Sequence, residues 1–401
     1  MKKNSLTLSY ACIQGFYWMA FAAIGSFCSA YLLDAGFNST TIGVLIAAAG
    51  VSATLLQPVF AAYADRPAGV SLRVLLIGLA LLNAGLSLLL LLNHNASRLL
   101  SWLLYWLLFT MIQVMQPLVN SLGMICINRG IRINFGAARA TGSTTYGLLA
   151  WLLGAIMLTH GSGTVPLSML LSCCLLGLFL FLFPFRKDSE PKNDPNAHSV
   201  SGSPTVFFKK HPRFGLMLIG MILMYISHVL LNNFTIQIIG SKGGGSAEMG
   251  VAVCIAALLE LPIMFLFDRI AQRISSRTLV RIAPFFFFLK ILFALLVTSV
   301  IGYYLSQGFQ MFGYALFYIA SVYYVNDLMD EEDAVKGQAY AAATYTAGSV
   351  AASLIGGRLI DAAGVDAMLI FGILAAGLGA AIIFIFAEDP HKNQTLPQKT
   401  E

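Results

Sequence analysis

The sequence predicts an all-α membrane protein with twelve transmembrane helices in two pseudo-symmetric six-helix bundles. Three observations predict it. Over 401 residues, 58% are hydrophobic and 10% charged, far more apolar than the roughly half apolar, quarter charged balance of soluble domains. Charge-free windows of at least about 20 residues, the length that crosses a bilayer, recur from one end of the chain to the other. A central polar stretch and two pairs of related segments divide those windows into equal halves.

In chain order the windows are 4–33, 35–64, 74–97, 99–128, 140–185, 214–241, 291–326, 337–357 and 367–387. The first is too long for a signal-peptide core and lacks a small-x-small cleavage site, so it is expected to remain as helix 1. Window 140–185 is double length and is split by the turn His160-Gly-Ser-Gly-Thr-Val-Pro166, giving helices 5 and 6. Window 291–326 is also double, joining the end of a helix that contains Lys290 to another that begins near Gly302. With the helix around Glu260 added, the count is twelve. The stretch from Arg186 to Arg213 has the Pro, Ser, Asn and charge content of a linker. The expected organisation is an N-terminal bundle over 1–185, a cytoplasmic linker over 186–213, a C-terminal bundle over 214–387 and a cytoplasmic tail over 388–401.

Cytoplasmic loops carry an excess of Lys and Arg. With the N-terminus inside, twenty of the 24 basic residues fall on inner segments; Arg98, Lys242 and Arg358 fall on outer ones and Lys290 lies within the membrane. Both termini are therefore expected on the cytoplasmic side of a cell membrane. The net charge of +6 reads as topology, and no basic face with interleaved aromatics outside the bilayer suggests nucleic acid. The cysteines, Cys12, Cys28, Cys126, Cys173, Cys174 and Cys254, all lie in predicted helices and read as small apolar packers. Asn38-Ser-Thr and Asn95-Ala-Ser match the glycosylation pattern on outer loops. There is no phosphate-loop motif and no metal-ligand spacing, so no cofactor or metal is expected. The reading is a gradient-driven carrier, not an enzyme, whose partners are a small-molecule substrate, protons and the lipid bilayer, working as a monomer.

Internal repetition supports two halves. Gly136-Ala-Ala-Arg-Ala-Thr-Gly-Ser-Thr-Thr-Tyr-Gly147 matches Gly337-Gln-Ala-Tyr-Ala-Ala-Ala-Thr-Tyr-Thr-Ala-Gly348, offset by 201 residues. Pro58-Val-Phe-Ala-Ala-Tyr-Ala-Asp-Arg66 matches Pro262-Ile-Met-Phe-Leu-Phe-Asp-Arg269, each followed by another Arg, Arg73 and Arg277. On these segments the chain resembles the major facilitator superfamily over essentially its whole length, a fold built from parallel repeats. Asp65, Arg66, Arg73 and Asp268, Arg269, Arg277 are similar to its signature loops, although Ala61 and Ala62 replace small residues of the usual pattern. The resemblance implies that these residues gate, with the acids pairing to helix ends and basic residues. Within the superfamily, Phe135–Gly142 and Leu258–Phe265 resemble the branch that contains lactose permease and related oligosaccharide and nucleoside proton symporters. That match implies a sugar-binding role for Arg139, a ring-stacking role for Tyr146 and a coupling role for Lys290. Gln310 and Gly313 stand where this branch has its coupling histidine and glutamate, and Tyr345 where it has a lysine. Its specific proton relay is therefore absent.

Glu260 and Lys290 are the charges deep inside predicted spans, and an ionisable side chain in hydrocarbon usually faces a partner or a wet cavity. Glu260 lies eight residues before Asp268, and Lys290 nine beyond Arg281, which places them roughly 12 Å and 14 Å into the bilayer. They are read as the proton-coupling pair, with a static packing pair as the alternative; the long stem of Lys290 also allows snorkelling. Substrate contacts are expected from Gln14 and Tyr17 in helix 1, Gln113 and Asn120 in helix 4, Arg139 and Tyr146 in helix 5, His228, Asn232 and Asn233 in helix 7, and Gln310 and Tyr345. For the helix 7 group the alternative is polar glue between helices. A saccharide or nucleoside is the cargo the resemblance favours. The alternatives are a carrier of drugs or aromatic acids, with Lys290 holding the anion beside Phe285–Phe288, and a non-transporting receptor or scaffold.

Overall fold

The computed structural model describes residues 3–64, 70–93, 97–128, 133–184 and 204–389. Among them there is no strand. Hydrocarbon offers no hydrogen bonds to a backbone, so an apolar chain satisfies its own N–H and C=O groups by coiling. The helices are α1 (Lys3–Phe21), α2 (Cys28–Asp34), α3 (Ser39–Ala64), α4 (Leu72–Leu92), α5 (Arg98–Asn128), α6 (Phe135–His160), α7 (Thr164–Leu182), α8 (Pro204–Lys210), α9 (Pro212–Asn233), α10 (Thr235–Ser241), α11 (Ser246–Ala271), α12 (Ser276–Leu296), α13 (Val300–Ser306), α14 (Leu316–Leu328) and α15 (Glu331–Phe386). Wide π-helical turns follow α1 at Ala22–Ser26 and precede α14 at Met311–Ala315.

Nine helices among the described residues are long and apolar enough to cross a membrane, or ten when Leu6–Ser26 and Cys28–Asp34, bent by 46°, count as one span. The protein is a multi-pass membrane protein, and its surface agrees: Leu55, Val59, Leu81, Phe181, Leu374 and Phe384 are all exposed, as lipid-facing side chains are. α15 has 56 residues, about 84 Å at 1.5 Å per residue, where the hydrocarbon core is about 30 Å thick. Gly364 breaks it, with φ 84° and ψ 175°, a backbone conformation that a side chain would strain.

Three sequence expectations are corrected. Windows 4–33 and 214–241 are not continuous helices: the first bends beyond its π-turn, and the second breaks at Phe234 between α9 and α10. Arg358 does not lie in a loop; it is an exposed residue of α15, before the Gly364 break. Asp65, Arg66, Asn95 and residues 186–203 lie outside the described residues. Asn38 caps α3, its side-chain oxygen accepting from Thr41 N at 2.9 Å, the expected use of an Asn at this position.

The chain forms two compact units: Met1–Ala197 with Asn233–Leu258, and His198–Asn232 with Leu259–Glu401. In the first, α1 packs on α6 and α7, α4 on α7, and α3 on α5. The start of α11 joins this unit through α6, where the Ser246 hydroxyl donates to the Gly154 carbonyl at 3.1 Å. In the second, α12 packs on α14 and α15, around a core that includes Phe214, Met217, Tyr225, Phe287, Phe317 and Tyr324. There α8 is pinned to α15: the Lys210 ammonium donates to Asp333 at 2.7 Å, and His211 lies 3.2 Å from the same carboxylate oxygen. The hydrogen bond to Asp333 pushes the Lys210 pKa up from its ordinary value.

Local capping repeats between the units. Ser71 and Ser275 cap α4 and α12, accepting from Val74 N and Thr278 N. Two residues on, Arg73 donates to the Phe183 carbonyl at 2.7 Å and Arg277 to the Ala387 carbonyl at 3.0 Å. Those carbonyls end α7 and α15, where helices leave C=O groups unpaired and the dipole favours a cation. Donors and acceptors are both offset by 204 residues, 73 to 277 and 183 to 387.

Candidate functional site

Among the described residues, each unit holds a cluster of polar side chains on its long apolar helices. In the second unit, Lys290 on α12 is 3% exposed, so its ammonium does not snorkel outward. It donates to Gln310 Oε1 at 2.7 Å, and Gln310 Nε2 donates to Glu260 Oε1 at 2.8 Å. The amide is a neutral bridge whose carbonyl faces the cation and whose NH2 faces the carboxylate. That orientation matches the donor and acceptor inventory of all three groups, and it offsets part of the cost of holding charge away from water. α11 supplies Glu260 and α12 supplies Lys290, while Gln310 stands immediately before the π-turn that leads into α14.

Next to this chain, His228 of α9 is buried, and its ring lies parallel to Tyr314 at 4.3 Å and 3°. Asn232 Nδ2, a donor, lies 2.9 Å from His228 Nε2, while Nδ1 is buried with no hydrogen-bond partner among the described residues. Tyr345 is 40% exposed and meets Tyr225 edge-on at 5.2 Å. Gly313 packs against Phe287 of α12 and carries no functional group to the cluster. Asn233 falls in the other unit, where its carbonyl accepts from the Ser29 hydroxyl.

In the first unit the hub is Trp18, which the sequence reading did not single out. Its Nε1 donates to Gln14 Oε1 at 3.2 Å, and Gln14 Nε2 donates to Tyr10 Oη at 2.7 Å and Asn120 Oδ1 at 3.1 Å. The Arg139 guanidinium lies over the indole, 4.1 Å from its centroid, and donates to Ser143 Oγ at 3.0 Å. Tyr146 meets the indole edge-on at 6.2 Å, and its hydroxyl is hydrogen-bonded to Ser26. Gly142 leaves the space the indole occupies, since a Cβ there would come within 3.2 Å of Trp18 Cγ and Nε1. Tyr17 is buried, with its hydroxyl donating to the Ile112 carbonyl at 3.0 Å, and so ties α1 to α5. Gln113 turns its amide onto the Phe109 carbonyl of its own helix at 3.1 Å.

Of the signature-loop residues that the structure describes, two hold helix ends. Arg73 and Arg277 cap α7 and α15, Arg277 also pairs with Asp389, and Asp268 accepts from Tyr323 Oη at 3.4 Å. Arg269 is exposed in the last turn of α11, the helix end that favours a cation.

Residues 10–371 match the MFS_1 like family. The chain belongs to that family. It is a major facilitator superfamily protein, a secondary transporter and not an enzyme. Two solved structures of the nucleoside transporter NupG, one of them an aspartate-to-alanine mutant, share its fold. The mutant gives a TM-score of 0.79 at 14% identity, covering 95% of this chain and 99% of that one. The other gives 0.77 at 14%, covering 95% and 98%. No curated protein sequence matches the chain. The repeated caps are present in both halves of the chain, and Gln310, at the position that the resemblance marked for a coupling histidine, forms the amide bridge.

Proposed function

We propose that this protein carries a small polar ring compound, a nucleoside or a sugar, by proton-coupled alternating access. In this reading twelve spans form two bundles of six and both termini face the cytoplasm. The observation that carries the reading is the hydrogen-bonded chain Lys290–Gln310–Glu260. Burial favours a neutral carboxyl and a nearby cation favours an ionised one, so the state of Glu260 depends on what surrounds it. A proton on Glu260 removes the charge that the Gln310 NH2 group faces and gives the carboxyl a donor of its own, which weakens its bond to Gln310. α11 and the segment before α14 are then released from one another, which couples proton binding to movement. The nucleoside arm draws support from NupG, whose fold this chain shares; the sugar arm draws support from the resemblance of residues 135–142.

Proteoliposome uptake of uridine, adenosine and lactose, with and without an acid-outside gradient, tests the reading. Accumulation of one solute only with the gradient, and its loss in Glu260→Gln with exchange retained, is the expected result. Movement of aromatic acids alone would favour a carrier with Lys290 as anion partner, although Gln310 already engages that ammonium. No flux of any solute would favour a receptor or scaffold.

A further inference from the structure

We propose that Trp18 is the platform on which the transported ring rests, and that Arg139 occupies its face until the ring arrives. The inference deepens the proposed carrier function and rests on it for the cargo class. The indole is fixed before any ligand binds. Its N–H is held by Gln14, which is itself held to Tyr10 and Asn120, and Gly142 leaves the ring its place. Its face is covered by the guanidinium of Arg139, a flat and weakly hydrated cation of the kind that stacks on aromatic rings.

Of the five N–H donors of that guanidinium, one is committed to Ser143, the only hydrogen-bond partner it has among the described residues. An uncharged ring with a flat or apolar face can take the guanidinium's place on the indole. Arg139, still beside Ser143, is then free to donate to oxygens on the ring's rim. Tyr146, edge-on to the indole and anchored through Ser26, borders the platform on one side. This chemistry selects neutral rings rich in oxygen acceptors, nucleosides or pyranosides, and it disfavours cationic rings, which would meet the guanidinium.

The test uses the full chain in nanodiscs, labelled with fluorotryptophan, with the Trp18 19F resonance assigned by its loss in Trp18→Phe. Uridine, adenosine and lactose are titrated, and uptake is measured in parallel. One solute should move the Trp18 resonance saturably over the range in which its uptake saturates. Arg139→Gln should shift the same resonance without solute. Trp18→Leu should raise the uptake KM about tenfold or more with maximal rate retained, as loss of a stacked ring does, and Trp18→Phe should raise it less. Uptake by the unmodified protein with an unmoved Trp18 resonance overturns the platform and leaves the carrier standing. A moved resonance without uptake leaves the platform and removes the carrier. Neither response with any of the three solutes removes both.

Discussion

The two units share their caps and differ in their chemistry. Ser71 with Arg73 and Ser275 with Arg277 make the same contacts at the same spacing. The polar clusters built on this common frame are unlike. The first unit holds a cation on an aromatic face, with amides and hydroxyls around it. The second holds a carboxylate and an ammonium joined through an amide. A duplicated scaffold preserves the contacts that close helix ends, because those serve both copies alike. The interior positions carry unlike side chains, and in the proposed function the first cluster would recognise the ring and the second would handle charge.

The sharpest way to break this contrast is in the second cluster. Lys290→Ala leaves the Gln310 carbonyl unmet and Glu260 without the cation at the far end of its bridge; breaking a buried pair costs about 3–5 kcal/mol. A large loss of thermal stability together with abolished gradient-driven uptake is expected. Restoration of stability by the double change Lys290→Met, Glu260→Gln would show that charge balance, not packing, was lost. If Lys290→Ala transports normally, the second unit holds no engine.

Next come the arginine caps. Arg73→Ala and Arg277→Ala should each cost about 1.5–3 kcal/mol, the worth of a hydrogen bond from a charged group, read as matching drops in detergent melting temperature. Drops that stay unequal in an Asp389→Asn background would show that the frame is not shared in energy as it is in geometry. Arg277 also pairs with Asp389, so Asp389→Asn should bring the two closer. The serine caps should rank below them, at about 1 kcal/mol each for Ser71→Ala and Ser275→Ala. The smallest effect is expected at α8. Asp333→Asn should speed amide exchange in 204–210 with little change in melting, because Lys210 is half exposed at this contact.

Composition alone reveals that the chain lives in a bilayer, because apolar windows interrupted by few charges have no soluble use. Glu260 and Lys290 were legible for the same reason: a charge inside such a window stands out. Gln310 stands out in the sequence for what it replaces, yet its contacts with both groups depend on how α11, α12 and the segment before α14 pack. Trp18 leaves no trace, since it is one of five aromatics in α1; its position depends on a missing Cβ at Gly142 in a distant helix. The π-turns and the break at Phe234 were illegible too, because neither contains a proline or a charge to mark it.

The turn at Met311–Ala315 holds one residue more than an α-helical turn would. Deleting a single residue there would wind it back to ordinary pitch and re-aim the side chains of the turn itself, while α14 kept nearly its present register. Tyr314 or its replacement would then leave the face of His228, while Gln310 kept its place before the splice. A one-residue deletion would in this way uncouple the aromatic pair from the amide bridge while both tyrosine and glutamine side chains remained in the chain.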